Sequence, residues 1–279
     1  MYFDDNRPYR IFAYLTRNIS ILKKCVVKGW RQLRFEDVCT VFWRDWVVLN
    51  RRLVKFVLSR MISPVLYLVA FGWGIGRSLP MNGGSYLDFI LPGIMALNAM
   101  NISFSAVGSP LNMSRLYHKT LEEYLIAPVS PGSFVTGKVL AGALRGLISC
   151  AVIFALAFLF GAKFTVTAGF LLTLALTCLL FAAMGLVAAM LINSHEDMAS
   201  FNTYVLLPMS FLCATFFSPD RLPLAVRWFI DLLPLTHATY ALRAIAGGIE
   251  TPWVSVGVLM LYTILLLAVG VWTMVRVRD

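Results

Sequence analysis

The side chains that most often do chemistry are few here and lie apart. His118, His195 and His237 are the three histidines, and no two share a loop. A zinc site wants three or four clustered ligands, so metal ligation is not expected. The five cysteines, Cys25, Cys39, Cys150, Cys178 and Cys213, form no CxxC pair. Three of them stand in apolar runs, where cysteine acts as a small hydrophobe, so no disulfide framework is expected either. No Ser-His-Asp set and no paired acidic motif gathers on one stretch; His195-Glu196-Asp197 is the nearest approach, and it lacks a partner. The phosphate-cradling pattern GxxxxGK[ST] is missing, so any ATP that drives this chain must be bound by another polypeptide. No catalytic residue is assigned.

What remains is polarity inside long apolar runs. Asn98, Asn101 and Ser105 fall on one helical face, and Phe201, Tyr204 and Pro208 on another. Polar groups in lipid seek partners, so these faces should point inward, as hydrogen bonds between helices or as a path for a solute. Spacing fits both. The aromatic rings of Phe104, Phe201, Tyr204 and Phe211 would suit a lipid, a drug-like amphiphile or a sugar. Lys138 and Arg145 lie near one end of such a run, and their long stems predict reach to headgroups.

Composition shows what must position these groups. Of the 279 residues, 59% are hydrophobic and 14% charged, with a mean hydropathy of +0.77. A soluble domain carries about 25% charged residues. Six stretches are long enough to cross a bilayer, which takes about 20 helical residues: Val54–Gly76, Tyr86–Ser109, Phe134–Phe160, Val166–Ile192, Ala199–Phe217 and Trp253–Val275. Continuous apolar runs predict helices, because a lone strand would leave its backbone unpaired in lipid. The first run starts too far along for a signal peptide. No span has Asp or Glu near its middle, against a proton-coupled carrier.

Net charge is +10, and residues 1–55 hold 12 of the 24 Lys and Arg. Beside so much apolar sequence, that charge points to anionic lipid rather than nucleic acid. The excess of Lys and Arg on one side predicts both termini in the cytoplasm. The expected division is a basic arm over 1–53 and a six-helix membrane domain over 54–279.

Three segments outside the spans stand out. Lys28–Leu53 mixes Trp30, Trp43 and Trp46 with five arginines, the pattern of an amphipathic helix lying at the bilayer interface. Pro110–Ser133 contains SRLYHKTLEEYLIAPVSP. Thr120 and Glu123 have capping-box spacing. Tyr117, Leu121, Tyr124 and Leu125 share a face, and Pro128 and Pro131 are expected to stop the helix. A charged helix over Arg115–Ile126, with an apolar face awaiting a partner, is predicted. Ser218–Thr251 has two short apolar pieces, Leu222–Leu233 and Thr236–Ile249, suited to a re-entrant or interfacial pair.

Four stretches together resemble the type-2 ABC transporter permease family: Arg51–Gly76 with Pro64, Tyr86–Met100 with Leu91-Pro92-Gly93, Lys119–Leu140 with TLEEYLIAPVSPGSFVTGK, and Leu233–Ile245 with LPLTHATYALRAI. They come in the family's order and run across nearly the whole chain. Where the family's third stretch often begins ER…GTLE, this one reads SRLYHKTLEE. The resemblance implies an all-α protein of six spans, with an amino-terminal interfacial helix, a cytoplasmic coupling helix between spans two and three, and a re-entrant hairpin between spans five and six. It implies a non-enzymatic exporter subunit of an inner membrane. Two copies of an ATP-binding subunit would carry ATP and Mg, and a second copy of this chain would complete the gateway. Coupling would fall to Tyr117, Leu121, Glu122, Glu123, Tyr124, Leu125 and Pro128, with His195 and Glu196 as a second contact. Spans one, two and five would line the path, with Asn98, Asn101, Ser105, Phe201, Tyr204 and Phe211. A membrane-embedded transferase acting on lipid-linked substrates is the competing reading.

Overall fold

The computed structural model describes residues 34–67, 69, 86–159, 166–213, 228 and 230–278. Within them the secondary structure is helical: α1 Phe35–Asn50, α2 Leu53–Tyr67, α3 Tyr86–Leu116, α4 Thr120–Ile126, α5 Pro131–Leu159, α6 Ala168–Leu191, α7 His195–Phe201, a π-turn Asn202–Leu206, α8 Leu207–Leu212, α9 Pro234–Ala246 and α10 Trp253–Arg278. Among the described residues four helices are long and apolar enough to cross a membrane: Phe89–Leu116, Pro131–Leu159, Ala168–Leu191 and Trp253–Val277. The expected first and fifth spans begin in α2 and in α7–π–α8, and their remaining residues, apart from Val69 and Cys213, lie outside those described.

The central helix is α3, which packs against α5, α6 and α9. Phe104, Met100 and Met95 on α3 are buried, as are Phe181, Leu180 and Cys178 on α6. In lipid, helices gain little from hiding apolar surface from one another, so close backbone approach carries the packing. Gly185 supplies it: a Cβ there would stand 2.5 Å from the Phe104 carbonyl oxygen. By contrast α10 keeps much of its apolar surface outward, with Val254, Leu261 and Ile264 all exposed.

Caps set several helix starts. Thr167 Oγ accepts from the Phe170 amide, and Ser194 Oγ accepts from the Asp197 amide at 2.9 Å. Each satisfies an amide that the first turn leaves orphaned. Ser130 does the same for α5, accepting from the Ser133 amide at 3.1 Å.

Prolines correct three expected boundaries. Pro131 opens α5 instead of closing the helix before it, because a first-turn proline has no amide to lose. Pro234 likewise opens α9. Pro110 does not end α3; the helix runs on to Leu116, since Leu111 and Asn112 are buried beyond it. The break comes at Tyr117–Lys119, where Lys119 takes a left-handed φ of 52°. The helix expected over Arg115–Ile126 is therefore α4, Thr120–Ile126, with Arg115 left on α3.

Candidate functional site

Two regions collect the residues singled out above. The first is a cleft of about 600 Å³ between α2, α3 and the α7–π–α8 segment. Asn98, Asn101, Ser105 and Phe211 line it. Asn98 also holds α3 to α5, its Nδ2 donating to Ser149 Oγ at 2.9 Å. It serves as interhelical bond and as wall at once. Asn101 is exposed, with its amide donating to the Leu97 carbonyl at 3.1 Å, and Ser105 Oγ donates to the Asn101 carbonyl at 2.6 Å. Phe201 turns away and stacks on Phe104, centroids 5.6 Å apart and planes within 7°. Tyr204 is 77% exposed and is not in the wall.

The wall contains residues that the pattern reading passed over. Ser59, Arg60 and Ser63 come from α2. Their spacing, LSRMISP, places Ser59 and Ser63 one turn apart, so a helical-face count would have found them. Asn202 and Thr203 come from the π-turn. A π-turn carries one extra residue per turn, and such turns recur at functional sites. Nothing in the residue types announces it.

The second region is α4 and its neighbours. Its apolar side is occupied within the chain. Leu121 is 2% exposed and belongs to the buried cluster that includes Val41, Phe134 and Val271. The Tyr124 ring meets Phe134 edge-on at 4.9 Å. The Arg44 guanidinium lies 4.9 Å from the Tyr124 centroid and donates to its hydroxyl. That hydrogen bond, outweighing desolvation, raises the Arg44 pKa above its ordinary value. The expected capping box is absent: Lys119 holds the cap position without a side-chain bond, and the Thr120 hydroxyl pairs with Ser114. What α4 turns outward is Glu122, Glu123 and Ile126, the last 87% exposed, with Tyr117, His118 and Pro128 exposed nearby. The Leu125 side chain lies outside those described.

Both charged anchors of this region point into the protein. Lys138 Nζ reaches both Asp45 carboxylate oxygens, at 2.8 and 2.9 Å. Arg145 does not snorkel to headgroups as expected. Its guanidinium donates to the Ala106 and Asp45 carbonyls, each at 3.4 Å, because α1 and α3 bring those carbonyls within reach. Arg115, ending α3, donates to the Ala189 and Ile192 carbonyls at 3.1 and 3.3 Å, and also to Met190 and the Asn193 side chain. A cation at a helix carboxyl end satisfies orphan carbonyls and suits the dipole. It also draws the start of α7, with exposed His195 and Glu196, to the end of the bundle where α4 sits.

The amino-terminal helix α1 lies on α5 through Val38, Val41 and Leu49. Val41 fits because position 137 is glycine; a Cβ there would meet Val41 Cβ at 2.8 Å. The opposite side carries Trp43, 63% exposed, and Phe35, with Trp46 half-buried. Trp30 lies outside the described residues. Among the described residues no three His, Cys, Asp or Glu side chains cluster as metal ligands.

Several known proteins are similar to this chain in sequence. The inner membrane transport permease YadH of Escherichia coli K12 is 29% identical over 228 residues, covering 78% of this chain and 88% of that protein. Nodulation protein J of Bradyrhizobium diazoefficiens is 26% identical over 232 residues, covering 81% and 88%. Nodulation protein J of Rhizobium meliloti is 29% identical over 220 residues, covering 78% and 83%. The family model of the ABC-2 type transporter matches residues 36–246, from the first turn of α1 to the last residue of α9. The chain is a membrane-transport permease belonging to the ABC-2 type transporter family.

Proposed function

We propose that this chain is the membrane subunit of an ATP-driven exporter that moves an amphipathic substrate such as a lipid, a glycolipid or polysaccharide, or a drug-like molecule. The observation that carries the reading is the cleft between α2, α3 and the α7–π–α8 segment, lined by polar and apolar side chains together. Its helices correspond to spans one, two and five of a six-span chain with both termini in the cytoplasm. ATP and Mg bind a separate subunit present in two copies, and a second copy of this chain closes the gateway in the inner membrane. The helix α4 acts as the coupling helix, α9 is one arm of the re-entrant hairpin, and α1 rides the interface through Trp43.

The geometry decides how to test coupling. Leu121 is buried, so an acid there tests folding and not docking. The outward residues are the probes. Glu122→Ala with Glu123→Ala, or Ile126→Asp, should release the ATP-binding subunit from a pull-down while the membrane domain stays inserted. Unchanged pull-down together with intact ATP-dependent transport in proteoliposomes would overturn the assignment of α4.

A further inference from the structure

Among its described lining residues, the cleft holds one cation. Among the described residues that line it, Arg60 is the single charged side chain, and neither Asp nor Glu is present. Arg60 is exposed, and no hydrogen bond or ion pair within the described protein engages it. Three of the lining hydroxyls are already committed. Ser59 Oγ donates to the Phe56 carbonyl at 3.0 Å, Ser105 Oγ to Asn101 at 2.6 Å, and Thr203 Oγ1 to Ala199 at 3.3 Å. The guanidinium, with five N–H groups in a fixed fork, is therefore the main uncommitted donor. Such a fork matches an oxyanion.

Apolar surface adjoins it. Ile94, Leu97, Leu206 and Phe211 line the same cleft, which at about 600 Å³ falls within the range of ligand sites. Arg60 lies two turns into α2, on the stretch that follows the basic arm. A molecule with an anionic head beside Arg60 and a hydrocarbon tail along Leu97 and Phe211 satisfies both surfaces. An uncharged sugar or a cationic drug would leave the guanidinium unmatched.

We infer that the cleft selects anionic amphiphiles, an oxyanion head on a hydrocarbon tail, and that Arg60 is the residue that reads the head. The inference rests on the transport reading and narrows its substrate class.

The experiment uses the full chain with its ATP-binding partner in nanodiscs of phosphatidylcholine. Binding of radiolabelled dodecyl phosphate is competed with dodecyl maltoside, dodecyltrimethylammonium and inorganic phosphate. The phosphate-headed probe is expected to outbind the neutral and cationic ones by about tenfold, which is about 1.4 kcal/mol. R60Q is expected to abolish that preference, and R60K to retain most of it. Phe211→Ala is expected to weaken all three amphiphiles alike. Equal binding of the three heads in the wild type overturns the proposal without need of any variant. So does an R60Q protein that keeps the preference, which would make Arg60 a headgroup anchor only. Inorganic phosphate competing as well as dodecyl phosphate would make this a free-anion site and overturn it too. Loss of head discrimination in a complex that still copurifies with its ATPase counts against the cleft alone. Intact discrimination in a chain that neither holds nor stimulates the ATPase counts against the transport reading alone.

Discussion

Lys138 Nζ sits 2.8 Å from one carboxylate oxygen of Asp45 and 2.9 Å from the other, binding α1 to α5 across 93 residues of sequence. The two side chains keep only 16% and 20% of their surface. Removing one partner leaves the other charge half-buried and unmatched. Lys138→Ala and Asp45→Ala should each cost about 2 kcal/mol. The reversed pair, Asp45→Lys with Lys138→Asp, should recover part of the loss. Thermal unfolding in detergent measures all three. Equal melting of wild type and both single variants would show the contact to be idle.

Tyr124 offers a finer dissection. Tyr124→Phe deletes the hydroxyl that Arg44 engages and keeps the edge-on contact with Phe134. The expected loss is about 1 kcal/mol. Tyr124→Ala removes the ring as well, and should cost about 3 kcal/mol. Limited proteolysis at Ala127–Val129 should accelerate in the alanine variant and stay near wild type in the phenylalanine one.

Gly185 and Gly257 form a matched pair of tests. At Gly185 an alanine Cβ would press on the Phe104 backbone, which cannot swing aside. Gly185→Ala should force α3 and α6 apart and cost about 2 kcal/mol or more. At Gly257 nothing lies within 4 Å. Gly257→Ala should leave stability unchanged or raise it by about 0.5 kcal/mol through helix propensity. Parallel melting curves would decide it, and equal effects at both sites would refute the close approach.

Arg115 closes the carboxyl end of α6 through four acceptors. Arg115→Met preserves the stem and removes every donor. Hydrogen exchange around Asn193–Asp197 should rise by about tenfold, matching about 1.4 kcal/mol of lost local stability. Exchange confined to wild-type rates would mean the carbonyls find other donors.

Much of this architecture was legible. Apolar length gave α5, α6 and α10 to within a few residues, because a membrane helix must be long and continuous whatever its neighbours do. Spacing put Asn98, Asn101 and Ser105 on one inward face and left open whether they bond to other helices or line a path; all three line the cleft, and Asn98 also bonds to Ser149. The misses have physical causes. Phe201 and Tyr204 were placed by a period of 3.6, and the π-turn that begins at Asn202 breaks that period. The apolar face of α4 was expected to await a partner, yet Leu121 and Tyr124 meet Val41, Phe134 and Arg44, residues far away in the chain. Spacing shows that a face is apolar and not what covers it. Arg145 was read as an interfacial anchor because its two acceptor carbonyls, on Ala106 and Asp45, belong to other helices.

The widened turn at Asn202–Leu206 has an evolutionary reading as well. It amounts to a one-residue insertion in an otherwise regular helix. Loss of a single codon there would restore ordinary winding and rotate everything downstream by about 100°. Ser210 and Phe211 would leave the wall, and other side chains would take their places. On the transport reading proposed above, one codon would thus reset the cleft lining without rebuilding the scaffold.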